Sequence, residues 1–332
     1  MANAIETSGL VKTYPGDVRA LDGLGFSVEA GTIFGMLGPN GAGKSTTVKI
    51  LTTLSRPDAG SASVAGFDVL RQPAEVRRSI GVVGQKSGVD REATGRENLR
   101  LQGQLYGMRG EALERRIGEL LEAFGLTEAR DRIVKGYSGG MQRRLDVALG
   151  LVHRPEVLFL DEPTTGLDPE VRAGMWDEIS RLASEEHLTI LLTTHYLEEA
   201  DQLTSRLVIV DRGRIVAEGT SDELKGSLHG DTLNVGLTEA SANGTVTSAL
   251  ESLGDIREVS VDGTTLRARA DDGARAVPIV LQALEAHGVG VATVTVSRPS
   301  LDDVYLQHTG RSFTAAESEE AARQKERQET RR

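Results

Sequence analysis

The stretch GTIFGMLGPNGAGKSTTVKILTTL, Gly31 to Leu54, decides how the chain folds. Its first part, GTIFGMLG (31–38), is apolar and of core-strand length. Its last part, GKSTTVKILTTL (43–54), reads as the helix that follows. Between them GPNGAGKS (38–45) fits the pattern G-x-x-x-x-G-K-[ST]. Strand, glycine loop and helix are the context a phosphate cradle needs. Glycines let the backbone wrap closely round phosphate oxygens, and a helix start aims N–H groups and a partial positive charge at them. The candidate cradle is Gly38, Pro39, Asn40, Gly41, Ala42 and Gly43. Lys44 adds a compact charge for the β- and γ-phosphates, Ser45 a hydroxyl ligand for magnesium, and Thr46 continues the anion-facing helix start.

A magnesium-binding loop of this kind calls for a carboxylate on a second buried strand. EVLFLDEP (156–163) supplies Asp161, suited to hold magnesium through water. Glu162 follows on the opposite side of the strand end, where it could polarise an attacking water. LLTTHYLEEAD places His195 at the end of another apolar strand, within reach of a γ-phosphate and of Glu162. Taken singly, the acids read as punctuation before Pro163 and the histidine as structural. The phosphate loop is what raises all three. KGYSGGMQRRLDVALGL (135–151) is a polar loop, Ser138-Gly139-Gly140, feeding a helix with an apolar face. Its helix start also suits an anion.

From residue 1 to about 225 strands alternate with helices, as in RIGELLEAFGL (116–126), VRAGMWDEISRLASEE (171–186) and LTILLTTH (188–195). Such alternation predicts a mostly parallel sheet covered on both faces. KGSLHGD (225–231) marks a boundary. Beyond it TLNVGL, a helix over 245–253, IREVSVD, TLRARAD, a helix over 275–287 and VGVATVTVS follow in the order βαββαβ. That order predicts a small ferredoxin-like α+β domain over 230–310. SLDDVYLQHTG (300–310) reads as a short closing helix, and the charged tail 314–332 as a solvated helix or disordered.

Bulk properties narrow the function. The chain has 332 residues and no cysteine, which rules out disulfides and a thiolate zinc site. The start MANAIETSGL lacks the basic opening and apolar core of a signal peptide, and no apolar run reaches spanning length. A net charge of −11 argues against nucleic acid as a partner.

With these motifs in place, the chain resembles the ATP-binding subunits of ABC transporters. The motifs come in that family's order: GPNGAGKS, Gln85 in GVVGQKSG (81–88), YSGGM (137–141), LFLDEP, GLDP (166–169) and His195. The resemblance implies a phosphate-loop NTPase cassette over 1–225, with a helical subdomain near 90–135 and the small α+β domain appended. It implies ATP and Mg2+ as ligands. It gives Lys44, Glu162 and His195 catalytic roles, Tyr14 in VKTYPG a stack on adenine, and Ser45, Gln85 and Asp161 the metal. Gln85 would also sense a transmembrane partner. Ser138, Gly139 and Gly140 would form the signature loop that serves the nucleotide of an opposite subunit, and Asp168 would signal across the dimer. The usual L-S-G-G-Q is altered: Tyr137 stands for the leucine and Met141 for the glutamine.

With one phosphate loop and one signature in the chain, the resemblance implies an ATP-dependent homodimer, separated by hydrolysis and coupled to a separate permease at the cytoplasmic side of the membrane. YSGGM and the ending RPSLDDVYLQHTGR (298–311) resemble the daunorubicin/doxorubicin-resistance subfamily, which implies export of drugs or antibiotics. Export of lipid or polysaccharide, an importer subunit and a non-transport ABC ATPase are the alternatives.

Overall fold

The phosphate-loop strand Ile33–Leu37, the acidic strand Val157–Asp161 and the histidine strand Thr189–Thr194 are buried at every residue. Strands enclosed on both faces read as near-continuous apolar runs, as IFGML and VLFL do here, while Thr189–Thr194 carries its apolar run ILL between threonines. In a computed structural model they form the middle of a six-stranded sheet. Its order is Arg214–Gly219, Arg206–Asp211, Ile33–Leu37, Thr189–Thr194, Val157–Asp161, Ile80–Val83. All pairings are parallel except that between the first two strands. The register sets Asp161 beside Thr193 and Leu37 beside Thr194, so the strand ends that carry the site lie level with one another.

The structure describes residues 2–239 and 256–329, together with Thr247, Leu250 and Leu253. Among these, the chain divides into two compact units, Met1–Ser221 with His308–Arg332, and Asp222–Gln307.

The first unit holds a feature that the alternation of strands and helices does not predict. An antiparallel sheet is built on the long strand Asn3–Tyr14, flanked by Val18–Leu24 and by Ala59–Val64, with Ser27–Glu29 and Phe67–Asp68 added. Asn3–Tyr14 carries register shifts against each of its three long-paired neighbours, and its burial does not alternate. Its signal is therefore blurred in the sequence. Helix Lys44–Leu51 packs between this sheet and the parallel one through Val48, Ile50 and Leu51, in a core shared with Phe34, Phe159 and Leu191. Truncating a ring such as Phe159 to alanine would cost about 3–5 kcal/mol.

A helical subdomain follows, made of Gly95–Leu105, Gly110–Ala123 and Gly139–Leu151. Thr94 and Glu97 close a capping box at its start. Leu99, Leu113, Ile117 and Leu120 point into the same cluster as Leu145, Val147 and Leu151. That places the Ser138 loop at the end of a well-packed helix.

In the second unit, Ile256–Asp262, Thr265–Ala270, Asp231–Leu237 and Val291–Ser297 lie side by side in that order, all antiparallel. Numbered along the chain this is the ferredoxin-like order. Helix Gly273–Ala286 covers the sheet with Ala276, Val280 and Leu284. The helix expected over 245–253 falls largely outside the described residues. The tail, expected to be a solvated helix or disordered, is helical over Phe313–Glu329 and belongs with the first unit. Phe313 and Ala316 are 3% and 1% exposed and fix its start. The charged run from Ala315 onward hides that anchor, since the one large apolar residue stands just before it.

Among the described residues no helix is long and apolar enough to cross a membrane.

Candidate active site

The phosphate loop leaves its strand at Gly38, whose N–H donates to the carbonyl of Thr194 at 3.2 Å. Gly43 caps the helix with φ of +115°, and a Cβ there would meet the Ala20 carbonyl at 2.7 Å. Only glycine fits both demands. Lys44 is 4% exposed. Its Nζ donates to the carbonyls of Gly38 at 2.7 Å and Pro39 at 3.1 Å, and lies 3.3 Å from Glu162 Oε1.

Glu162 is the joint of the site. Its φ is +50°, a left-handed conformation that a non-glycine residue adopts at a cost on the order of 1 kcal/mol or more. The turn is held because its N–H donates to both the carbonyl and the hydroxyl of Thr193, each at 3.1 Å. His195 Nδ1 lies 3.3 Å from Glu162 Oε2, though the ring nitrogen is not aligned for a hydrogen bond. Burial alone would raise the Glu162 pKa. The adjacent His195 ring and the Lys44 ammonium outweigh it and bring the carboxyl down from 4.5 to about 2. Burial pulls the Lys44 pKa down, against the opposing charges of Glu162 and Asp161. At 3.3 Å in a buried site the two form an ion pair at neutral pH.

Three oxygen-bearing side chains converge beside this pair. Ser45 Oγ donates to Asp161 Oδ1 at 3.2 Å, and Gln85 Nε2 donates to Ser45 Oγ at 3.3 Å. Thr193 Oγ1 also donates to Asp161 Oδ1, at 2.6 Å, and fixes that carboxylate. Hydroxyl, carboxylate and an amide that can turn its oxygen inward fit a hard divalent cation. Among the described residues no three His, Cys, Asp or Glu side chains gather as a metal cluster. A magnesium ion here would draw its remaining oxygens from water and phosphate.

A cleft of about 540 Å³ joins these groups. Tyr14, Asn40, Gly41, Gly43, Lys44, Ser45, Thr46, Gln85 and Glu162 all line it. Tyr14 sits at its rim with Lys12 Nζ 5.7 Å from the ring centroid.

Ser138, Gly139, Gly140 and Asp168 are not among the residues that line this cleft. Ser138 caps helix Gly139–Leu151, its Oγ accepting from the Met141 N–H at 3.2 Å. Asp168 does the same for helix Pro169–Glu186, accepting from Val171 at 2.9 Å. Ser138, Gly139 and Asp168 are exposed. A Cβ on Gly140 would come within 2.7 Å of Val171 Cγ1, so the glycine lets the two helices approach. The altered signature positions are both anchored. Tyr137 is buried and donates its hydroxyl to the Ala129 carbonyl at 2.7 Å. Met141 packs against the subdomain core, with Arg132 Nη2 3.4 Å from its sulfur.

Two further residues hold the site together and carry no motif that singles them out. Arg143 is 8% exposed, and its guanidinium donates to the carbonyls of Pro163 at 2.6 Å, Gly84 at 2.8 Å and Glu162 at 3.4 Å. It ties the signature helix to the Gln85 loop and to the Glu162 turn. Glu199, fully buried, accepts from Thr164 Oγ1 at 2.8 Å and from Trp176 Nε1 at 3.0 Å.

Comparison with known proteins settles the kinship. Residues 21–165 match the family model described as ABC transporter, and residues 219–309 the model described as ATP-binding protein DrrA1-3-like, C-terminal domain. The chain is 48% identical to a daunorubicin/doxorubicin resistance ATP-binding protein of Streptomyces peucetius, over 96% of each chain. This chain belongs to the ATP-binding subunits of ABC transporters. A doxorubicin resistance ATP-binding protein of Mycobacterium tuberculosis (strain CDC 1551 / Oshkosh) is 45% identical over 92% of this chain and 93% of its own length. An ABC transporter cassette solved in its ADP conformation superposes with a TM-score of 0.61 at 27% identity, covering 67% of this chain and 93% of its own. As an ABC ATP-binding subunit the chain binds nucleotide and hydrolyses ATP. Such subunits work with transmembrane components and dimerise.

Proposed function

We propose that the chain powers export of a drug or antibiotic through a separate permease, as the ATP-driven half of a two-component exporter at the cytoplasmic face of the membrane. The observation that carries the reading is the 48% identity, across 96% of the chain, to a daunorubicin/doxorubicin resistance ATP-binding protein. The geometry of the cleft supports the chemistry. Lys44 neutralises the outer phosphates of ATP and orients them with the loop N–H groups. Glu162, ionised at neutral pH, accepts a proton from the attacking water, and His195 holds the carboxylate and the γ-phosphate in line. Ser45, Asp161 and Gln85 are the residues that would hold magnesium, which when bound offsets phosphate charge. Tyr14 stacks on the adenine.

The exposed Ser138 loop and Asp168 support a composite site. In this reading Ser138, Gly139 and Gly140 present their helix start to the γ-phosphate held by a second copy, and Asp168 meets that copy. ATP then joins two subunits and hydrolysis parts them. Arg143 passes the change between the signature helix, the Gln85 loop and Glu162.

The test is to isolate the membrane complex through a tag on this chain and follow its ATP hydrolysis as daunorubicin is added. Stimulation that Lys44→Ala removes is the expected result. Stimulation by a lipid or polysaccharide cargo, with none by drugs, would overturn the assignment of drug export.

A further inference from the structure

The tail was set aside in the sequence as a charged appendage, yet it lies against the nucleotide cleft. Helix Phe313–Glu329 begins at two buried residues, Phe313 and Ala316. Just before it, Arg311 Nη2 donates to both carboxylate oxygens of Asp211, at 2.9 and 3.2 Å. Arg311 also pairs with Glu319, whose carboxylate lies 3.7 Å from Arg212. These contacts pin the first turns of the helix beside the phosphate loop. Glu320 then lines the cleft together with Gly41, Lys44 and Glu162. It also lines a smaller pocket with Pro39, Ala42 and Arg311 on the loop's outer side. An ideal Cβ on Gly41 would lie 2.6 Å from Glu320 Oε1, so the carboxylate rests directly on the loop backbone. One turn earlier, the charge of Glu317 reaches Lys44.

We propose that the rim of the phosphate loop is a docking surface for the chain's own acidic C-terminal helix, and that the docked helix and bound ATP exclude one another. The inference rests on the nucleotide reading of the cleft.

The physical case has two parts. ATP brings several negative charges into a cleft that holds the buried Lys44 and is also lined by Arg19 and Arg212; Glu320 adds like charge among the lining residues, and the charge of Glu317 reaches Lys44. The loop also needs its outer face free for phosphate to settle and for a second subunit to close over it. A helix seated on Gly41 stands in that path. Among the described residues the anchors include the buried Phe313 and Ala316, the largely buried Arg311–Asp211 pair and the exposed Arg212–Glu319 pair, all within the first two turns of the helix or just before it, and ATP binding can displace the turn that carries Glu320. A binding-competent form populated only part of the time weakens apparent affinity by that fraction.

The test uses the full-length chain and the fluorescent nucleotide mant-ATP with magnesium. The double variant Glu317→Gln with Glu320→Gln should bind about fivefold to tenfold more tightly than wild type, because the competent fraction rises. Phe313→Ala, which removes the anchor and leaves the charge alone, should tighten binding in the same direction. A control of equal charge on a distant helix, Glu111→Gln with Glu122→Gln, should stay within about twofold of wild type, the scale of screened surface charge. Binding unchanged in the tail double variant overturns the inference. So does equal tightening in the control, or tightening by the double variant without any from Phe313→Ala, since both point to diffuse repulsion. Lys44→Ala separates the two readings. If it weakens binding and the tail variants change nothing, only the docking fails. If it leaves binding intact, the nucleotide reading of the cleft fails.

Discussion

Lys44 Nζ stands 3.3 Å from Glu162 Oε1 while donating to the carbonyls of Gly38 and Pro39. One ammonium thus ties the phosphate loop to the end of the acidic strand. A phosphate oxygen reaching Lys44 competes with Glu162 for that charge, so nucleotide binding and the position of the Glu162 carboxylate are linked through a single side chain.

Replacing Lys44 with alanine is expected to weaken ATP binding at least tenfold and to lower turnover on the order of 100-fold or more, because the outer phosphates lose their charge partner. Nucleotide titration and phosphate release measure the two effects separately. Turnover within twofold of wild type would contradict the placement of the outer phosphates at Lys44.

The Glu162 carboxyl titrates at about 2 in the fold, against 4.5 for an ordinary glutamate. A carboxyl with a depressed folded pKa contributes stability that is fully present above pH 4.5 and is lost as pH falls toward 2, because the unfolded chain takes up the proton first. The shift corresponds to roughly 3 kcal/mol. Urea midpoints of wild type and Glu162→Gln, measured from pH 6 down to pH 3, should converge as the pH drops. A gap that stays constant across that range would show that Glu162 is not held ionised by Lys44 and His195.

Arg143 offers three forked donors to three loop carbonyls, a geometry lysine cannot copy. Arg143→Lys should cost about 1–3 kcal/mol of stability, the scale of lost hydrogen bonds to a charged group. It should also lower kcat more than it weakens ATP binding, since the phosphate loop itself is untouched. Unchanged kcat would assign Arg143 to structure alone.

Much of this was readable because each motif sits on one loop. The central parallel strands are buried end to end around apolar runs, and GPNGAGKS, Asp161, Glu162 and His195 all lie at their ends. Arg143 and Glu199 were not readable. Their partners are brought close only by folding: Gly84 is 59 residues from Arg143, and Thr164 is 35 residues from Glu199. The antiparallel sheet was hidden by the irregular register of Asn3–Tyr14. The tail was hidden because its charged composition outweighs one buried phenylalanine.

In the proposed assembly the Ser138 loop completes a site on another copy of the chain. Light scattering behind size exclusion, with saturating ATP and magnesium, tests it most directly. Glu162→Gln, expected to bind ATP and to hydrolyse it poorly, should run at twice the 35.5 kDa monomer mass. Adding Ser138→Arg should return it to the monomer, even though that variant keeps its own phosphate loop and loses only about 1 kcal/mol of helix capping. A monomer in the first case, or a dimer that survives the second change, would contradict the composite site.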